Sequence, residues 1–293
     1  MIDKFCRIKY MKHKIKKALG QNFLINPKIA ERIVRDTNIS DNDIVLEIGP
    51  GTGNLTKYLL AEAKRVIAVE KDDNLFSDLQ NKFSEQIKSG NLILVHCDIL
   101  DFGFKKYKLK AKTYKLVANI PYNITGAILK KFLSSREKPS SMTLMVQKEV
   151  ADRIIARDRK ESLLSISIKL YGEPKILFKV GRGNFYPLPN VDSAVIFINN
   201  ISKNNFVKNK IDEEYFWRVI HAGFAHKRKK LSSNLKKYQG FPLVNLKGGG
   251  NSSAFSVFSS VLFTETLGNK RAEELSVENW IELIKMMSVN KKD

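Results

Sequence analysis

The chain has 293 residues, which is enough for one large domain with a small one, or for two domains of ordinary size. Apolar residues make up 43% of it, and no apolar run approaches the roughly 18–20 residues of a transmembrane helix, so we expect no membrane span. The formal net charge is +21, and such a field attracts polyanions, either nucleic acid or an anionic membrane face.

The positive charge is concentrated in two stretches. Residues 4–17 hold seven Lys or Arg and no acidic residue, and residues 215–264 hold eight without one Asp or Glu. A generally basic proteome would raise the total charge without segregating it, so the distribution favours a nucleic-acid partner. We expect residues 1–18 to form a basic arm that carries candidate phosphate contacts at Lys14, Lys16 and Lys17.

Cysteine usage points to a reducing compartment. The two cysteines, Cys6 and Cys97, are far apart in sequence, which favours free thiols over a disulfide framework or a zinc site. The N-terminus is basic but lacks the apolar stretch of a secretory signal. We therefore expect a cytoplasmic protein that holds no metal.

A glycine-rich turn follows the first strong strand pattern. Residues 44–48 read as a buried strand and residues 54–63 as a helix, with Gly49-Pro50-Gly51-Thr52-Gly53 between them. Such a turn lets a ligand approach the backbone and the N–H groups of the helix. It lacks the third glycine of the dinucleotide pattern. Glu47 would repel a pyrophosphate but suits a ligand with an ammonium or sulfonium group.

Two further predicted strands end in acidic residues. Residues 65–69 lead to Glu70, which is placed to accept the hydroxyls of a ribose. Residues 92–96 lead to Asp98, which is placed to accept the exocyclic amine of an adenine; capping of a helix is the alternative for this side chain. Together with the glycine turn, these acids predict an adenosine-containing cofactor.

The fourth strand, residues 114–118, leads to Asn119-Ile120-Pro121-Tyr122. Proline ends the strand, and ligands bind at the carboxyl ends of such strands. The side-chain oxygen of Asn119 and the carbonyl of Ile120 are suited to accept the two N–H groups of an exocyclic amine, while Tyr122 stacks on the ring. The alternative is an Asx-type turn with an aromatic cap on the core.

The alternation of strands and helices predicts a parallel, doubly wound sheet. Residues 21–24 precede a helix that reaches residue 37, and we expect them to lie over the ligand site. Further helices are predicted over residues 73–88 and from Thr125. Later strands are predicted at residues 142–146, 164–170, 175–180 and 192–198.

Basic and aromatic residues mark the second half of the chain. Arg153, within a helix predicted over residues 147–157, is a candidate phosphate contact. Phe185 and Tyr186 stand in a proline-rich turn; they are either ordinary core residues, or one of them completes a base sandwich with Tyr122. A polar linker at residues 199–209 precedes a broken helix over residues 215–238. This helix carries a basic cluster that is either a solvated face or a phosphate site: Lys227, Arg228, Lys229 and Lys230. Residues 247–260 read as a flexible glycine–serine insertion, and a last helix spans residues 276–287.

Five ordered motifs resemble those of one family, the ribosomal RNA adenine dimethyltransferases of the KsgA type, which share their catalytic domain with the Erm resistance methyltransferases. The motifs are Gly20-Gln21-Asn22-Phe23-Leu24, Glu47-Ile48-Gly49-Pro50-Gly51-Thr52-Gly53, Asn119-Ile120-Pro121-Tyr122-Asn123, Phe185-Tyr186-Pro187-Leu188-Pro189-Asn190-Val191-Asp192-Ser193 and Arg271-Ala272-Glu273-Glu274-Leu275-Ser276. The chain departs from the family at Asn22, where His is common, and at His226 and Lys227, where Gln and Arg are usual.

The resemblance implies S-adenosylmethionine as cofactor and a Rossmann-like methyltransferase fold. A seven-stranded, mostly parallel sheet would occupy residues 19–200, and a small all-α domain for RNA docking residues 201–293. The implied cofactor contacts are Gln21, Asn22, Leu24, Glu47, Gly49, Gly51, Glu70, Lys71, Asp98, Ile99 and Asn119. Asn119, Ile120, Tyr122 and Phe185 would grip the target adenine. The basic residues above become RNA contacts.

The implied activity is dimethylation of the N6 amine of two adjacent adenines, in a hairpin loop near the 3′ end of 16S ribosomal RNA, by a monomer acting on the assembling small subunit. Three alternatives stay open. An Erm-type enzyme would act on large-subunit RNA, and a glutamine methyltransferase usually has a second proline at the Ile120 position. An assembly factor would keep RNA binding without the chemistry.

Overall fold

The computed structural model describes residues 21–235 and 267–289. The basic arm with Lys14, Lys16 and Lys17 and the glycine–serine insertion lie outside the described residues. The described strands are β1 (Phe23–Leu24), β2 (Ile44–Ile48), β3 (Arg65–Glu70), β4 (Leu92–His96), β5 (Lys115–Asn119), β6 (Met142–Gln147), β7 (Glu173–Val180), β8 (Phe185–Tyr186) and β9 (Ser193–Asn199).

The described helices are α1 (Pro27–Asp36), α2 (Asn54–Glu62), α3 (Asp73–Lys82), α4 (Ser84–Lys88), α5 (Thr125–Ser134), α6 (Lys148–Ile154), α7 (Leu163–Tyr171), α8 (Asn204–Asn209), α9 (Glu213–Gly223), α10 (Leu231–Leu235) and α11 (Val277–Val289). The helix predicted over residues 73–88 is divided at Phe83, whose ring packs beside Gly53. The predicted break in the basic helix is confirmed, since α9 and α10 are separate.

A seven-stranded sheet forms the centre of the first part of the chain, in the order β4-β3-β2-β5-β6-β9-β7. Strands β2 to β6 run parallel, and β9 is antiparallel to both of its neighbours. The parallel strands are rich in Val, Ile and Leu because helices cover both faces of such a sheet. The chain reverses its direction of winding between β2 and β5, and ligands bind at such a reversal. The prediction of a Rossmann-like, mostly parallel sheet is confirmed.

The chain divides into two compact units. Of the described residues, the first unit comprises 21–155 and Gly172–Ser202, and the second comprises Ala156–Tyr171, 203–235 and 267–289. Residues 156–171 therefore belong to the second unit, although the sequence placed them in the first domain. In the second unit, Trp280 is fully buried on α11, and its indole packs against Gly223 at the end of α9.

The strand predicted at residues 164–170 is wrong, because this segment forms α7. Its apolar residues alternate with Ser and Lys, as they would along a strand. However, the Ser162 hydroxyl accepts a hydrogen bond from the Ser165 backbone N–H at 3.1 Å, and the Ser165 hydroxyl accepts one from the Ser162 N–H at 2.6 Å. This reciprocal capping satisfies the first N–H groups of a helix, so it favours helix over strand.

Candidate active site

A cavity of about 220 Å³ opens at the carboxyl ends of β2, β3, β4 and β5. Most of the predicted cofactor and target residues line it: Gln21, Asn22, Gly49, Gly51, Glu70, Lys71, Asp98, Ile99, Asn119, Ile120 and Tyr122. They come from distant parts of the sequence, because the carboxyl ends of parallel strands meet at one edge of the sheet. Phe23 lines it as well, as expected for residues 21–24, and so do Leu75 and Cys97, which were not predicted as ligand contacts.

The glycine turn presents bare backbone to this cavity. Gly49 and Gly51 have φ angles of +62° and +58°, a left-handed conformation that favours glycine. A β-carbon at Gly51 would lie 3.1 Å from the ring of Phe23. The Phe23 side chain therefore rests directly on the turn, and a ligand in the cavity meets main-chain groups and this ring.

Glu70 holds the turn in place. Its carboxylate accepts hydrogen bonds from the backbone N–H of Gly51 at 3.1 Å, of Lys71 at 2.9 Å and of Asp72 at 3.0 Å. Burial raises the pKa of Glu70, and the three N–H donors act in the opposite direction. The acid at the end of β3 thus has a structural role in addition to the predicted contact with a ribose.

Asp98 is ionised and oriented by two donors. The Lys71 ammonium donates to one carboxylate oxygen at 2.7 Å, and the Leu100 backbone N–H donates to the other at 2.8 Å. The hydrogen bond from Lys71 is the main cause that lowers the pKa of Asp98. The contact with Leu100 caps a turn and not the helix of the alternative interpretation, and it coexists with a position in the cavity wall. The carboxylate can therefore accept an amine from a bound ring.

The side-chain amide of Asn119 has a defined orientation. Its Nδ2 donates to the backbone carbonyl of Asn22 at 3.1 Å. Because a carbonyl oxygen can only accept, the amide end that faces it must be the NH₂ group. The Asx-turn alternative fails, since such a turn needs an N–H two residues on, where Pro121 has none. Oδ1 is thus presented as an acceptor at the other end of the amide.

Tyr122 follows on a short 3-10 turn and lines the cavity. Its hydroxyl forms a 2.7 Å hydrogen bond with the hydroxyl of Ser193, and the Thr125 hydroxyl donates to its backbone carbonyl at 3.2 Å. Burial raises the pKa of Tyr122, so the phenol is neutral at physiological pH. An uncharged ring beside two amine acceptors suits the binding of a heteroaromatic base.

Three of the predicted contacts, Leu24, Phe185 and Glu47, do not line this cavity. In the antiparallel pair β1 and β8, Phe23 is opposite Tyr186 and Leu24 is opposite Phe185. Because side chains alternate along a strand, Leu24 and Phe185 point into the main hydrophobic core, at 5% and 3% exposure, while Phe23 faces the cavity. A stacking role for Phe185 therefore stays a prediction that requires the ring to leave this core.

Glu47 lies behind the glycine turn rather than in the large cavity. It is 1% exposed and borders a second, small cavity of about 30 Å³ together with Gly49, Gly51 and Asn119. Its Oε2 has no hydrogen-bond partner among the described residues. Burial, followed by the nearby Glu70 carboxylate, raises the pKa of Glu47 to about 8. A buried carboxyl of this kind gains a partner when a cationic ligand binds beside the turn.

The basic residues of the second unit stand in the loop between α9 and α10. Lys227, Arg228, Lys229 and Lys230 are all exposed. The buried side chain of Asn234 donates to the carbonyls of Gly223 at 2.6 Å and His226 at 3.1 Å and so shapes the loop that presents them. In the first unit, Arg153 is exposed on α6.

Residues 21–235 and 267–289 contain no group of three or more His, Cys, Asp or Glu side chains arranged to hold a metal ion. Within the same ranges, no helix combines the length and the apolar composition that crossing a bilayer requires.

Comparison with known proteins identifies the family. Residues 12–246 match the model of the ribosomal RNA adenine dimethylase family. The chain is 39% identical, over 94% of its length and 98% of the relative, to ribosomal RNA small subunit methyltransferase A of Fusobacterium nucleatum.

Two solved structures have a similar fold. A dimethyladenosine transferase from Plasmodium falciparum superimposes with a TM-score of 0.73 at 28% identity, covering 91% of this chain and 97% of that one. The 23S rRNA methyltransferase ErmE shares the fold, with a TM-score of 0.66 at 22% identity over 91% of this chain and 99% of that one. The chain therefore belongs to the ribosomal RNA adenine dimethylase family, whose members use S-adenosylmethionine as methyl donor.

Proposed function

We propose that the chain dimethylates the N6 amine of adenines in small-subunit (16S) ribosomal RNA. The observation that carries this proposal is the oriented amide of Asn119, whose Nδ2 is held by the Asn22 carbonyl beside the cavity-lining Tyr122. The small-subunit assignment is supported by relatives named ribosomal RNA small subunit methyltransferase A. Two adjacent adenines in a hairpin loop near the 3′ end are the proposed targets.

The residues around the cavity fit S-adenosylmethionine. The left-handed glycines suit the cationic methionine part, and so does the orphaned oxygen of Glu47, which borders the small cavity beside the turn. Glu70 suits the ribose, and Asp98 suits the adenine amine. When bound, this cofactor supplies a methyl group on a positively charged sulfur. The remaining requirements are position and electrostatics, and these come from the chain's own side chains.

Asn119, Ile120 and Tyr122 would prepare the target nitrogen. The lone pair of an adenine N6 is delocalised into the ring, so the amine is a poor nucleophile. Acceptance of its two hydrogens by Asn119 Oδ1 and the Ile120 carbonyl draws the nitrogen toward tetrahedral geometry. The lone pair would then form the new N–C bond with the methyl group that the cofactor supplies, the electrons of the S–C bond would stay on sulfur, and one N6 proton would pass to solvent. No strong general base is needed, because the proton leaves readily once the nitrogen is methylated.

The target base must leave its stack to enter the cavity. Unstacking costs a few kcal/mol and is cheapest in a loop, where RNA is also read specifically. The exposed Lys227–Lys230 cluster, Arg153 and the basic arm with Lys14, Lys16 and Lys17 would hold the surrounding RNA through phosphates. We place the reaction in the cytoplasm, on the assembling small subunit, with the chain acting as a monomer.

The test uses the purified chain and radiolabelled S-adenosylmethionine. Unmodified small subunits and large subunits are offered separately, and the RNA is digested to nucleosides. Dimethyladenosine from the small subunit alone is the expected result. Label on the large subunit would replace the proposal with an Erm-type activity. Binding to small subunits without label would indicate an assembly factor. The Asn119→Ala variant, which keeps the proposed RNA-binding residues, controls for a contaminating methyltransferase.

A further inference from the structure

The hydroxyls of Tyr122 and Ser193 form a hydrogen bond of 2.7 Å, although the two residues are 71 positions apart in sequence. Ser193 is 0% exposed and stands at the start of β9, opposite Gln147 of β6 and Val180 of β7. A buried hydroxyl loses its contact with water, so it is tolerated where it finds a hydrogen-bond partner. Here that partner is the aromatic residue which faces the target cavity.

Ser193 is a fixed point in the fold. Its strand is paired on both sides, since β9 lies between β6 and β7. The preceding residue is anchored as well: the carbonyl of Asp192 accepts the Lys148 N–H at 2.9 Å, and its carboxylate accepts the Arg182 N–H at 2.9 Å. A hydroxyl on such a backbone has little freedom to follow a moving partner.

The Tyr122 ring is consequently held at both ends. Its backbone belongs to a 3-10 turn in which the Ile124 N–H donates to Pro121 and the Thr125 hydroxyl donates to Tyr122 itself. The far end of the ring is held by Ser193. The hydrogen-bonding directions of a phenol lie near the plane of its ring, so a contact with a fixed hydroxyl restricts both the position of the ring and its rotation about the Cβ–Cγ bond.

We infer that Ser193 is a positioning residue that sets the plane of Tyr122 against the target adenine. This inference rests on the proposed function, in which Tyr122 stacks on that base. Ser193 acts only through Tyr122, since it does not line the cavity itself.

The second methyl transfer depends on this plane more than the first. An unmodified N6 amine offers two hydrogens to Asn119 and to the Ile120 carbonyl. A singly methylated amine offers one, so one of these two hydrogen bonds is lost, and the base is then oriented mainly by stacking on Tyr122. Loss of the Ser193 hydroxyl therefore slows the second transfer preferentially, and monomethyladenosine accumulates.

The experiment measures single-turnover rates of the first and second transfers on unmodified small subunits, with the dissociation constant for S-adenosylmethionine and the Tm of each variant. Ser193→Ala and Tyr122→Phe each remove one partner. Each is expected to slow the second transfer by about twofold to tenfold, the range of one hydrogen bond, and the first transfer less. The double variant is expected to be no slower than the slower single one, because both changes remove the same contact. Cofactor affinity should stay within about twofold.

Two further variants separate positioning from stability. Ser193→Cys fills the site with a larger group that forms only a weak hydrogen bond, so it should show the same accumulation of monomethyladenosine without opening space around Tyr122. Thr143→Val removes a buried hydroxyl from β6, away from the cavity, and should leave the ratio of monomethyl to dimethyl product unchanged.

The inference is overturned if Ser193→Ala and Ser193→Cys give the wild-type product ratio, or if the effects of Ser193→Ala and Tyr122→Phe multiply in the double variant. If Ser193→Ala does not fold, Tyr122→Phe and Ser193→Cys decide the matter by the same ratio. Absence of methyl transfer by the unaltered chain would count against the proposed function instead, so the two failures are distinct.

Discussion

The Nδ2 of Asn119 donates to the backbone carbonyl of Asn22 across 3.1 Å, between residues 97 positions apart in sequence. This contact connects the end of β5 to the segment that precedes β1. It also decides which end of the amide can accept hydrogen bonds from a substrate. A side chain that is oriented before the substrate arrives needs no reorganisation during the reaction, which is the condition for electrostatic catalysis.

Asn119→Ala should therefore reduce turnover far more than cofactor binding. Removal of one preorganised hydrogen-bonding group from an active site costs about a hundredfold or more in turnover. Because the glycine turn, Glu70 and Asp98 are unchanged, the dissociation constant for S-adenosylmethionine should rise only slightly. Calorimetry and single-turnover methylation measure the two quantities. Asn91→Ala, an exposed amide before β4, is the control. Equal losses in both quantities would contradict the assigned role.

The positions of Glu70, Asp98 and Asn119 could be predicted from sequence, because each follows an apolar strand and parallel strands end at one edge of the sheet. Other features depend on tertiary contacts. Phe23 faces the cavity and Leu24 faces the core because β1 pairs with β8. A strand of two residues is too short for its pattern of apolar residues to predict this orientation. The alternating apolar residues of α7 are typical of a strand, and the reciprocal hydrogen bonds of Ser162 and Ser165 that favour the helix leave no clear pattern in the sequence. The contact between Tyr122 and Ser193 likewise has no local signature.

Glu47 makes the stability of the ligand-free protein dependent on pH. Its pKa is about 8 when folded and near the ordinary 4.5 when unfolded, so between these values the unfolded chain releases a proton that the folded chain retains. The free energy of unfolding therefore falls as the pH rises through this window, by up to about 1.4 kcal/mol per pH unit, and levels off above pH 8. Glu47→Gln should remove this fall. Thermal unfolding at pH 5 and pH 8 tests it: a Tm advantage of the variant should be larger at pH 8.

The same carboxyl should couple cofactor binding to proton release. A cationic ligand beside the turn favours the ionised form of Glu47 and lowers its pKa. Affinity for S-adenosylmethionine should then increase with pH up to about 8, and calorimetry in buffers of different ionisation enthalpy should detect a released proton near pH 7. In Glu47→Gln both the pH dependence and the proton release should disappear, together with part of the affinity. A pH-independent affinity in the unaltered chain would show that Glu47 does not respond to the ligand.

Alanine substitutions at Gly49 and Gly51 separate two causes of instability in the glycine turn, backbone strain and collision with a neighbouring side chain. Both glycines have a left-handed φ, but a β-carbon at Gly49 would meet nothing within 4 Å, whereas one at Gly51 would lie 3.1 Å from Phe23. Gly49→Ala therefore measures backbone strain alone, on the order of 1 kcal/mol, and Gly51→Ala adds displacement of the Phe23 ring. We expect a lower Tm for Gly51→Ala than for Gly49→Ala. The difference should shrink when Phe23 is also changed to Ala, and it would persist if the ring were not the obstacle.

The exposed lysines of the loop between α9 and α10 should control the salt dependence of RNA binding. Each phosphate contact contributes roughly 0.7–0.9 to the slope of log K against log salt concentration. Lys227→Gln with Lys229→Gln should therefore lower this slope by about 1.4–1.8 and weaken binding at low salt most. Lys64→Gln removes an exposed charge at the amino end of β3, the edge of the sheet away from the cavity, and should leave the slope unchanged. Equal slopes for the loop variant and the control would mean that the loop is a solvated face, because charges that touch no phosphate release no counterions.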